Sequence, residues 1–68
     1  MLNELVPIES AEGVTLYGRV ISAGGKLGQY EVYNQNRGTS GPFHTYKEAE
    51  TQYTGIVNNI RNSKKERQ

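Results

Sequence analysis

The sequence predicts an α+β fold: a three-stranded antiparallel β-sheet with one C-terminal α-helix packed on one face, βββα. Three observations predict it. "VTLYGRVIS", residues 14 to 22, alternates side chains at period two, with Val14, Leu16, Gly18 and Val20 on one face and Thr15, Tyr17, Arg19 and Ile21 on the other. "QYEVYN" repeats that alternation after the glycine-rich "AGGKLG", which is how a hairpin reads. From Thr45 the period changes to 3.6, with Tyr46, Ala49, Tyr53, Ile56, Val57 and Ile60 on one stripe.

Each element has its own local cause. Residues 1 to 12 carry Leu2, Leu5, Val6 and Ile8 around Pro7, and a proline removes a backbone donor, so they are expected as an extended arm or an edge strand. Residues 13 to 62 then form a single domain. In its first hairpin Gly24 and Gly25 permit positive φ, and Tyr30 and Val32 point to the core while Gln29, Glu31 and Tyr33 point away. "NQNRGTSGP" is too polar to bury and rich in turn formers, so it is expected as an exposed loop leading to a short third strand near Phe43.

Thr45 and Glu48 are spaced as a capping box, in which side chains satisfy backbone N–H groups at a helix start. Gly55 weakens the helix by about 0.8–1 kcal/mol relative to Ala, and is expected to let the helix approach the sheet. Residues 63 to 68 read as a flexible basic tail.

Composition bounds the function. A chain of 68 residues hides only about 60% of its unfolded surface, which leaves little room for a deep catalytic cavity. With no Cys and one His, disulfide or metal staples are closed to it, and packing or a homodimer remains. No apolar run approaches the roughly 20 residues of a membrane span, so a cytoplasmic protein without membrane contact is expected.

His44 has no Asp in the chain to orient it and precedes the helix cap, which favours a surface residue over a catalytic one. "AGGKLG" fails as a phosphate-binding loop, because Val20 and Leu27 stand where a Gly and a Ser or Thr are required. The expectation is a non-enzymatic protein without cofactor or metal.

The sheet face away from the helix holds the chemistry. Tyr17, Arg19, Gln29, Glu31 and Tyr33 are expected there, bordered by Lys26, Asn36 and Arg37. Arg, Asn and Gln read base edges and Tyr stacks on bases, which points to nucleic acid. Tyr and Arg are also the residues that most often carry protein-interface energy, which points to a protein partner.

The chain resembles the arm-type, AP2-like DNA-binding domains at the N-termini of phage and transposon integrases. The resemblance covers residues 14 to 62: Gly28, Tyr30 and Tyr33 on the second strand, Gly38 in the loop, then Phe43, Thr45, Glu48 and Ala49 in a Phe-x-Thr-x-x-Glu-Ala junction. It implies a sheet that enters the DNA major groove with the helix behind it, and Tyr17, Arg19, Gln29, Glu31, Tyr33 and Arg37 as contacts. The resemblance covers no recombinase catalytic domain, so it implies no integrase activity.

In small size, neutrality and a Tyr-bearing face the chain also looks like phage-encoded inhibitors such as anti-CRISPR proteins. The leading expectation is therefore a small DNA-binding domain, an accessory or regulatory factor of a phage or mobile element. The alternative is a protein-binding inhibitor or adaptor of a bacterial host protein, using the same face.

Overall fold

The computed structural model describes residues 2–66. Four strands and one helix follow in chain order: β1 (Leu5–Ala11), β2 (Val14–Val20), β3 (Leu27–Asn34), β4 (Gly38–Phe43) and α1 (Tyr46–Glu66). The strands pair antiparallel in the order β1-β2-β3-β4, and α1 packs on one face of that sheet against β2, β3 and β4.

The class is α+β with a C-terminal helix, as expected, but the sheet has four strands, not three. The added strand is β1, the edge reading of residues 1 to 12. Two backbone features make it possible. Glu12 and Gly13 form a two-residue connection with φ of 53° and 77°, the double positive φ that matches the twist of a hairpin. Pro7 sits at a register shift on an edge strand, where a missing N–H costs no ladder bond on the open side.

The polar stretch after β3 is also a strand rather than a long loop. The Arg37 N–H donates to the Asn34 carbonyl at 3.1 Å, the Asn34 Oδ1 accepts the Asn36 N–H at 2.9 Å, and Gly38 takes a φ of 92°. That tight turn reverses the chain at once, and Gly38–Phe43 pairs along β3 as the second edge. Pro42 is tolerated there for the same reason as Pro7.

The β2–β3 hairpin closes as the glycines suggest. The Ile21 N–H donates to the Lys26 carbonyl at 2.8 Å, and Gly25 carries the positive φ, 87°.

In the core, Val14 and Leu16 of β2 and Val32 of β3 are fully buried beneath Ala49, Tyr53 and Val57 of α1. Their alternation is the predicted one. Gly18 carries no side chain on this face because a Cβ would come within 2.7 Å of the Leu27 Cδ1 and 3.1 Å of the Ile8 Cδ1. Those two side chains close over it, and Gly18 is buried.

The helix begins at its expected cap. The Thr45 Oγ1 accepts the Glu48 N–H at 3.2 Å and donates to the Glu48 carboxylate at 3.1 Å, half of a capping box reinforced by a side-chain bond. Five of the six residues of the expected apolar stripe meet the core, Ala49, Tyr53 and Val57 buried and Ile56 and Ile60 half-buried against them, while Tyr46 is 38% exposed. Tyr46 instead meets Tyr30 edge-on, with ring centroids 5.8 Å apart.

Gly55 is exposed, and a Cβ there would meet nothing within 4 Å, so it does not serve close approach. The helix continues to Glu66, into the stretch expected as a tail; residues 67 and 68 of that tail lie outside the described residues. Among the described residues no helix is long and apolar enough to cross a membrane.

Candidate functional site

The uncovered face of the sheet is built from cross-strand rows, because residues paired in register share a face. Leu5, Arg19 and Gln29 form one row, Pro7, Tyr17 and Glu31 the next, and Ser10, Thr15, Tyr33 and Thr39 the third. Five candidates predicted from sequence, Tyr17, Arg19, Gln29, Glu31 and Tyr33, are thus brought together on the side away from α1. The face is wider than predicted, since Leu5, Pro7 and Ser10 belong to β1, expected as an arm or an edge strand, and Thr39 to a β4 that begins earlier than the short strand expected near Phe43. The apolar Leu5–Ile8 run ahead of the Glu12–Gly13 turn was the signal for β1; the Gly and Ser of β4 hid all of it but its end at Phe43.

The electrostatics of this face are closed internally. Arg19 Nη2 donates to Glu31 Oε2 at 2.8 Å, and Arg19 Nη1 donates to the Asn3 carbonyl at 2.9 Å. Both side chains are largely covered, with 28% and 18% of their surface exposed. The cation with which the face was expected to meet phosphates is therefore neutralised in place. Ser10 and Thr15 hydroxyls bond to each other at 3.2 Å. What stands free is apolar and phenolic: Tyr33 is 41% and Leu5 39% exposed.

The remaining three candidates, expected at the border of this face, lie in the turns at the two ends of β3. Lys26 lies in the exposed β2–β3 turn. Asn36 and Arg37 lie in the β3–β4 turn at the other end of β3, about 25 Å away for eight residues at 3.2–3.4 Å each. They turn toward the helix, lining a groove of about 720 Å³ with Ser40 of β4 and with Gln52, Ile56, Asn59, Ile60, Ser63 and Lys64 of α1. The placement follows from the tight turn: a long loop would have reached outward, whereas a hairpin carrying Asn34 inward keeps its neighbours near the covered face.

Beyond that groove, Glu12 accepts from Arg61 Nε at 3.3 Å and from Lys64 Nζ. These bonds, Lys64 first, hold its carboxyl below the ordinary carboxylate range. At the opposite end of the helix the Tyr46 hydroxyl lies 2.8 Å from Glu50 and 3.0 Å from Glu9, which raises its pKa. His44 is exposed at the β4–α1 junction. Among the described residues no three His, Asp or Glu side chains are grouped to hold a metal ion.

Compared with protein-family models, curated proteins and solved structures, the chain matches none.

Proposed function

We propose that this is a small binding module that docks a protein partner through the uncovered sheet face, with Tyr17 and Tyr33 as anchors. The Arg19–Glu31 ion pair carries the reading. A face evolved for phosphates gains affinity by leaving cations free to replace counterions, and here the central cation is held by a carboxylate and a carbonyl. A neutral surface of Tyr, Leu, Pro and Thr suits a protein interface, where aromatic side chains in a desolvated centre supply most of the energy.

Its size sets the kind of contact. Four strands about 4.8 Å apart and about seven residues long present roughly 450 Å², about half of what one partner contributes to a standard interface. The face alone supports a transient complex; a tight one needs the partner to wrap over an edge strand.

Nucleic-acid contact is the second reading. Lys26 and Arg37, which form no ion pair among the described residues, support it, together with the resemblance to arm-type DNA-binding domains. Affinity capture from lysate with and without nuclease separates the two. A protein partner should survive nuclease and 0.5 M salt, and should be lost with Tyr17→Ala and Tyr33→Ala while the melting temperature is kept. Loss on nuclease treatment, with steep salt dependence of oligonucleotide binding and sensitivity to Lys26→Ala and Arg37→Ala, would replace it with the second.

A further inference from the structure

The groove between β4 and α1 is a separate site, on the opposite side of the sheet from the proposed docking face. We infer that it binds an extended acidic peptide segment, which adds as a fifth strand to the open edge of β4 and sets a carboxylate against Arg37 and Lys64.

Three observations support this. The first is the edge: β4 pairs only with β3, so from Gly38 to Gly41, short of Pro42 and its missing N–H, its outer N–H and C=O groups are unpaired by any strand among the described residues, an arrangement that accepts an added strand over that stretch. The second is the floor. Ile56 and Ile60 are half-buried beneath the groove, while Gln52 and Asn59 offer amide donors and acceptors at its wall. Alternate side chains of a strand laid along β4 would point down onto the two isoleucines.

The third is charge. Among the described residues no carboxylate lines the groove, whereas Arg37 and Lys64 both do. Glu12 lies behind Lys64 and is shared with Arg61, so that group of three retains one positive charge, and Arg37 adds a second. An acidic side chain is therefore complementary at this end, and a basic one is repelled.

Dimensions agree with a short occupant. From Gln52 to Lys64 the helix rises about 18 Å at 1.5 Å per residue, the length of five or six extended residues at about 3.3 Å each. The groove holds no Tyr, Phe or His among its lining residues, so it offers no platform on which bases could stack. That favours a peptide over a single-stranded nucleic acid.

The test is titration of the ¹⁵N-labelled full chain with three probes: a blocked hexapeptide alternating Val and Glu, the same peptide with Gln for Glu, and hexathymidylate. Expected are amide shifts at Thr39, Ser40, Asn59 and Ile60 with the acidic peptide, affinity reduced about tenfold by Arg37→Glu, and weaker binding of the Gln peptide. Both Arg37 and Asn59 are exposed, and unchanged melting of Arg37→Glu and Asn59→Glu shows that the fold persists. Absence of shifts, shifts confined to Tyr17 and Tyr33, indifference to Arg37→Glu, or hexathymidylate binding in the groove in place of the acidic peptide would overturn the inference. The readout is confined to groove residues, so it stands or falls separately from the docking face.

Discussion

Arg19 reaches diagonally from β2 to β3 and holds Glu31 at 2.8 Å, on the face that the helix leaves open. The pair lies in a partly covered setting where solvent screens less than at a fully exposed site, so its coupling should exceed the surface median. A double-mutant cycle with Arg19→Ala and Glu31→Ala is expected to give about 0.5–1 kcal/mol. Glu31→Gln should also make the sheet face more cationic and increase salt-sensitive DNA binding there. A coupling near zero would mean that the guanidinium is free, which removes the main support for a protein partner.

Glu12 ties the first hairpin to the end of the helix. Its φ of 53° is unfavourable for a residue with a Cβ, and the bonds from Lys64 and Arg61 offset that strain. The pKa is lowered in the folded state, so this stabilisation is present above the ordinary carboxylate value of 4.5 and is lost as pH falls through the folded value. Melting temperature should therefore drop more steeply below pH 4.5 in the wild type than in Glu12→Gln. Parallel acid profiles would show that the clamp does not form in solution.

Tyr46 and Tyr53 have the opposite sign. Hydrogen bonds to Glu50 and then Glu9 raise Tyr46, and burial followed by the charge of Glu9 raises Tyr53. A raised folded pKa means stability that is complete below about 10 and is lost as pH climbs beyond it. Between pH 9 and 11.5 the wild type should lose stability faster than Tyr46→Phe or Tyr53→Phe. The comparison with each variant cancels the lysines that titrate in the same range.

Leu16 tests the core. It is fully buried between Val14 and Val32 and beneath α1, and Leu→Ala at such sites costs about 2–5 kcal/mol through lost burial and the cavity left behind. In a 68-residue chain that is a large share of the total. Leu16→Ala should be substantially unfolded at 25 °C by circular dichroism, whereas Ile21→Ala, at a position 48% exposed, should melt close to the wild type.

What was legible in the sequence was whatever rested on strong periodicity. The inward set Val14, Leu16, Val20 and Val32, the Thr45 cap and the helix all follow from alternation, a capping pair or a 3.6 period. β1 was readable only as an arm or an edge strand, and β4 only as a short strand near Phe43, for one physical reason: an edge makes ladder bonds on one side only, so it tolerates the Pro and Gly that weaken a strand signal. The Glu12–Gly13 turn lacks the Asn or Asp that would have marked it. The same error moved Asn36 and Arg37, because a tight hairpin and a long loop present their side chains to different sides.

Gly55 supplies the last prediction, through the unfolded chain as much as the folded one. It lies mid-helix on the exposed side, and a Cβ added there meets no atom within 4 Å, so alanine creates no clash and fills no hole. The substitution removes backbone freedom from the unfolded state and improves helix propensity, worth about 0.8–1 kcal/mol. For a domain of this size that corresponds to a rise of about 4–8 °C in Tm. If Gly55→Ala instead lowered Tm, this face of α1 would have to be covered in solution, by a second copy or by another segment, and concentration dependence of the loss would identify the copy.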